Sequence, residues 1–131
     1  MNMNVLMNGN MKLVLNLTKG KSMGYALKIQ SNKVDLVEVN KVDLKFLREQ
    51  IGCQWVEAIP CPYGYVVVDE EYLLNNPPSI NLIASKITNA FVNGIALLLD
   101  TNESDFIPFS NSEAEQIKEK LLSNNDSKSN K

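Results

Sequence analysis

The stretch "FVNGIALLLD", residues 91–100, constrains this chain more than any other feature: it predicts a buried strand, through the continuous apolar run Ile95, Ala96, Leu97, Leu98 and Leu99. Five successive apolar residues leave a strand no polar side to turn toward water, so the strand they form must be covered on both faces. A chain of 131 residues has enough material for one such core. The rest of the sequence therefore has to supply neighbouring strands and helices for both faces.

Alternation identifies the neighbours. In "GYALKIQ", Tyr25, Leu27 and Ile29 alternate with smaller or polar residues; "SNK" supplies a turn and "VDLVEV" a second strand, so residues 24–39 predict a hairpin. The apolar phase of "VDLVEV" slips from Val34 and Leu36 to Val37 and Val39, which predicts a bulge. Asp43 caps a short helix with Leu44, Leu47 and Ile51 on its apolar face, and Gly52 stands where a left-handed residue ends it. "QWVEAI" and "YGYVVVDEEYLL" then form strands around "PCPYG", whose prolines confine pairing to an edge. Ser79 is positioned to cap a helix carrying Ile80, Ile83, Ala84 and Ile87. The last helix opens at a capping box, Ser110 and Glu113, with Phe109 and Ala114 as staple and Ala114, Ile117, Leu121 and Leu122 as its buried stripe. The order predicts an α+β fold: a mostly antiparallel sheet of about five strands with three short helices in a single domain over residues 23–122. All five methionines fall within residues 1–23, at positions 1, 3, 7, 11 and 23; residues 1–22 are expected to be an extension, either an added edge strand at "MKLVLNL" or unstructured, and residues 123–131 are expected to be a disordered tail.

Composition excludes more than it identifies. The chain has no histidine, which removes triads and transition-metal sites built on imidazole. Cys53 and Cys61 have neither zinc nor redox spacing and are expected to be free thiols; with no cationic neighbour in sequence, "PCPYGY" is expected to be a structural turn. No apolar run approaches the roughly 18 residues of a membrane span, and the N-terminus lacks a secretory signal pattern, so a cytoplasmic protein without membrane partners is expected. Residues 1–50 hold eight Lys/Arg against four Asp/Glu, residues 51–131 five against eleven. The basic half has no arginine cluster or aromatic platform, so nucleic acid is not an expected partner. Trp55 is expected in core or interface packing.

The candidate ligand-binding residues are Ser79, Asn81 and Ser85, grouped at the start of the second helix, with Asp69 at the rim. Asn81 is expected to be partly exposed, beside backbone N–H groups free to take an anionic group, under a loop stiffened by Pro77 and Pro78. Asp69, Glu70 and Glu71 with Asp100 or Asp105 have the chemistry of a divalent-cation site. A strand sends Asp69 and Glu71 to one face and Glu70 to the other, so no metal or other cofactor is assigned, and the charged strand end is expected to discourage edge pairing.

From about residue 25 to 122, "WVEAIP" after Gly52, "VVDEEYLL", Asn81 followed by Ala84, "NGIALLL" and "SNSEAEQI" in that order resemble a bacterial, plasmid and phage family, domain of unknown function 3846. Cys53 departs from that pattern, which has a second glycine there, as do Pro77 and Pro78. The resemblance implies a small accessory protein and no reaction. The expectation is a non-enzymatic binding protein acting on a host protein or a small nucleotide-like ligand, with a homodimer through a sheet edge left open. The alternative is a small metal-dependent hydrolase or nuclease using Asp69, Glu70 and Asp100.

Overall fold

A computed structural model of the chain describes residues 3–8, 11–15, 24–103 and 105–129, with side chains described over 24–103 and 105–123. Its first elements, β1 (Met3–Asn8) and β2 (Met11–Leu15), pair with each other in an antiparallel ribbon separate from the main sheet. The strand expected at "MKLVLNL" exists, but it is not an added edge strand of the main sheet.

The main sheet uses β3 (Gly24–Gln30), β4 (Lys33–Val39), β5 (Val56–Cys61), β6 (Gly64–Asp69) and β7 (Ala96–Asn102) in the order β4-β3-β7-β6-β5, with β8 (Asp105–Ile107) paired to the end of β7. All of its pairings are antiparallel. The apolar run thus becomes the central strand. Ala96, Leu97, Leu98 and Leu99 are completely buried, each leucine contributing about 1.5–3 kcal/mol of burial.

Both faces of β7 are covered, as the run requires. Leu97 and Leu99 meet Val67, Ala26 and Val39 beneath α1 (Leu44–Ile51), which packs through Leu47, Ile51 and Phe46. Ala96 and Leu98 meet Leu27, Ile29, Val66 and Val68 on the other face, beneath α3 (Leu82–Thr88) and α4 (Asn111–Ser129). This two-sided burial explains the phase slip in "VDLVEV". The β3–β4 register runs unbroken from Gly24↔Val39 to Gln30↔Lys33, so the expected bulge is absent. Val34 and Leu36 face one core cluster and Val39 the other.

Local signals fix the helix ends. Asp43 accepts a hydrogen bond from Phe46 N at 2.9 Å, and Gly52 closes α1 in the left-handed region at φ 78°. Leu44 is half exposed and does not join the buried face of α1. The capping box of α4 forms in both directions, Ser110 N to Glu113 Oε1 and Glu113 N to Ser110 Oγ, each at 3.2 Å. That helix runs on to Ser129, into the segment expected to be disordered, since no proline or glycine follows Ser110 to stop it. A four-residue helix, α2 (Tyr72–Asn75), replaces the strand continuation expected at "EEYLL". Trp55 lies outside the core, 57% exposed. No described helix is long and apolar enough to cross a membrane.

Candidate functional site

The stretch from β6 through α2 to α3 holds both candidate features, a polar hub around Asn81 and an apolar groove beside it. At the hub, Asn81 rather than Ser79 caps α3: its extended backbone lets Oδ1 accept from Ala84 N at 3.1 Å. Its Nδ2 donates to the carbonyls of Ile29 and Gly94, both at 2.8 Å, and its backbone N–H donates to Val92 O at 2.8 Å. The residue is completely buried. The expected partial exposure is therefore corrected, and the physical reason is tertiary: the end of β3 and the approach to β7 present two carbonyls that only a buried amide can satisfy together.

The neighbouring polar atoms also turn inward. Ser85 Oγ accepts from Val92 N at 2.8 Å and donates to Val92 O at 3.2 Å, fastening α3 to the segment before β7. Ser79 is exposed, with its N–H donating to Asn93 Oδ1 at 3.0 Å and its carbonyl accepting from Gly94 N at 2.9 Å. Three of the amides at the start of α3 have acceptors: Ile83 N donates to Ser31 O, Ala84 N to the Asn81 side chain and Ser85 N to Asn81 O. Gly94 completes the hub at φ 82°, where a Cβ would lie 2.5 Å from Tyr72 Cε2.

Asp69 ends β6, and its Oδ1 accepts from Glu71 N at 2.9 Å, turning the chain into α2. It lines a cleft of about 350 Å³ at the end of the sheet, together with Ser79, Gln30, Ser31, Asn76 and Tyr72. Two of the four candidate ligand residues, Asp69 and Ser79, thus share a cleft, whereas Asn81 and Ser85 do not line it.

The carboxylates considered for a metal do not converge. In the β6–β7 register Tyr65 opposes Leu99 and Val68 opposes Ala96, so Asp69 and Asp100 lie at opposite ends of the pair, about five residues or ~17 Å apart along the strands. Asp105 pairs with Asn102, beyond the Asp100 end. Among the described residues no group of three His, Cys, Asp or Glu side chains is placed to hold a metal ion. The set Asp69, Glu70 and Asp100 is accordingly corrected: strand register separates it.

The second feature is a groove of about 430 Å³ on the α3 side of the sheet edge. Ile59 of β5 and Val68 of β6 form its floor, and Leu73 and Leu74 of α2 and Phe91 form its walls. Phe91 is 88% exposed and Leu74 79%, while Val92, the next residue after Phe91, is 2% exposed. Glu57, Asp69, Glu70 and Glu71 also line the groove, and among the described residues no lysine or arginine does. Sequence reading missed Leu73, Leu74 and Phe91. The available signal was "YLL" between three acids and two prolines, too short an element to bury both leucines, and an aromatic set between Asn89 and Asn93.

Both cysteines are free thiols. Burial pushes the Cys53 thiol up from its ordinary value, and the Asp69 carboxylate adds to that; burial also raises Cys61, against the backbone hydrogen bonds from Tyr63 and Gly64. Neither has the lowered pKa that a nucleophilic cysteine needs.

No protein-family model, curated protein or solved structure matches the chain.

Proposed function

We propose that the chain is a small non-enzymatic binding protein that docks a segment of another protein in the groove between α2 and Phe91. The observation that carries this reading is the clustering of Leu73, Leu74 and Phe91, all largely exposed, around one concave surface. Isolated exposed apolar residues are ordinary, but several lining one groove with a polar rim mark an interaction surface. The two raised thiol pKa values and the lack of histidine favour binding over catalysis. The bacterial or mobile-element accessory role rests on the sequence resemblance alone.

A small nucleotide-like ligand in the sheet-end cleft is the second reading, favoured by Gln30, Asn76 and Ser79 along its wall. It ranks lower because Asp69 lines the same cleft and no lysine or arginine among the described residues does, an unfavourable field for a phosphate. The test is capture from a bacterial lysate by the wild-type chain and by a Phe91→Ser/Leu74→Ser variant. The docking reading expects a captured protein that the variant loses; equal recovery by both chains would sink it.

A further inference from the structure

We propose that the groove selects a basic partner: a protein segment that places a leucine- or phenylalanine-type anchor between Leu74 and Phe91 and flanks it with lysine or arginine. This rests on the docking reading above and adds the chemistry of the occupant. Charge complementarity identifies the occupant. Three glutamates, Glu57 on β5 and Glu70 and Glu71 before α2, line the groove together with its apolar walls, and among the described residues no basic side chain lines it. An apolar partner with an acidic or neutral surround would close over these carboxylates and strip their water without compensation. A basic surround compensates them, and the open face of Phe91 offers a second favourable contact to a guanidinium or ammonium group.

A second copy of the chain is a poorer occupant. A two-fold contact through this groove sets the same patch against itself, bringing Glu57, Glu70 and Glu71 against their own counterparts.

The probe is a labelled amphipathic peptide of leucine and lysine, compared with one in which glutamate replaces every lysine, each titrated with the full chain at low and high salt. Thermal melts first establish that each variant is folded. The lysine peptide should bind and the glutamate peptide should not. Binding should weaken about tenfold in Phe91→Ser/Leu74→Ser and by a similar factor in Glu57→Gln/Glu70→Gln/Glu71→Gln, and should fall as salt is raised. Loss in the apolar variant alone, without dependence on salt or on the glutamates, overturns the basic partner while leaving the docking reading standing. Equal binding by all three chains overturns both. Self-association of the chain that Phe91→Ser abolishes would assign the groove to a second copy and overturn the proposal as well.

Discussion

The Asn81 hub and the Phe91 groove are built from the same stretch of chain, yet they resolve opposite demands. At the hub, polar groups are buried and each named donor finds an acceptor; at the groove, apolar side chains stand in solvent and carboxylates line the space around them. Phe91 and Val92 mark the division, since one side chain lies outside and the next is in the core. The lesson is that a polar residue flagged by sequence as a ligand contact can instead be the one that fastens a helix to the sheet beneath it. Substitutions at Asn81 and at Phe91 should separate these roles.

Asn81→Ala should have the largest effect. It strands the Ile29 and Gly94 carbonyls and the Ala84 N–H in a buried site, which at about 1–3 kcal/mol for each unsatisfied group predicts a loss of roughly 3–5 kcal/mol. Urea denaturation measures it, and a loss below about 1 kcal/mol would show that the hub carries little of the stability. Gly94→Ala comes next, at about 2–4 kcal/mol, because the new methyl meets the Tyr72 ring and the backbone is held at φ 82°. Since Tyr72 lines both the cleft and the groove, the same variant should also weaken peptide binding, which joins the two regions rather than separating them. Phe91→Ser should leave stability within about 0.5 kcal/mol of wild type while removing docking, as the side chain contributes little to the core. A destabilisation as large as that of Asn81→Ala would collapse the distinction between hub and groove.

The smallest effect concerns the thiols. A thiol whose pKa is raised in the folded state contributes stability below its ordinary value, and that contribution is lost as pH rises through the raised folded value. Alkylation of Cys53 and Cys61 in the folded chain should therefore be slow near neutrality and accelerate only in the alkaline range, later than in the denatured chain. Rapid labelling of either at pH 7 would contradict this. Because both thiols are free, reducing agent should leave the melting temperature unchanged.

Much of the fold was legible because its signals are local. The run at residues 95–99 demanded a doubly covered strand, Gly52 marked a left-handed cap, and Ser110 with Glu113 marked the start of α4. What failed were inferences that depend on distant partners. Ser79 and Asn81 are both good capping residues, and only the carbonyls of Ile29 and Gly94 decide between them. The slip from Val34 to Val37 looked like a bulge because a strand with one buried face was assumed, whereas both faces of this sheet are covered. At the candidate site, Asp69 and Ser79 could be named from their neighbourhood, but the walls could not. Leu73, Leu74 and Phe91 read as ordinary apolar residues until the fold left them uncovered.

The Asn81 amide has a consequence for how the chain assembles. Its donors bridge Ile29, 52 residues earlier, and Gly94, 13 residues later, so both bonds exist only when β3 and β7 approach in one alignment. A slip of β3 by one residue would turn the Ile29 carbonyl the other way and leave an asparagine entombed without a partner. An apolar residue at that position would tolerate such a slip; Asn81 penalises it. The side chain thus acts as a checkpoint on strand alignment that engages only after long-range pairing is in place, so its removal should speed unfolding much more than it slows folding.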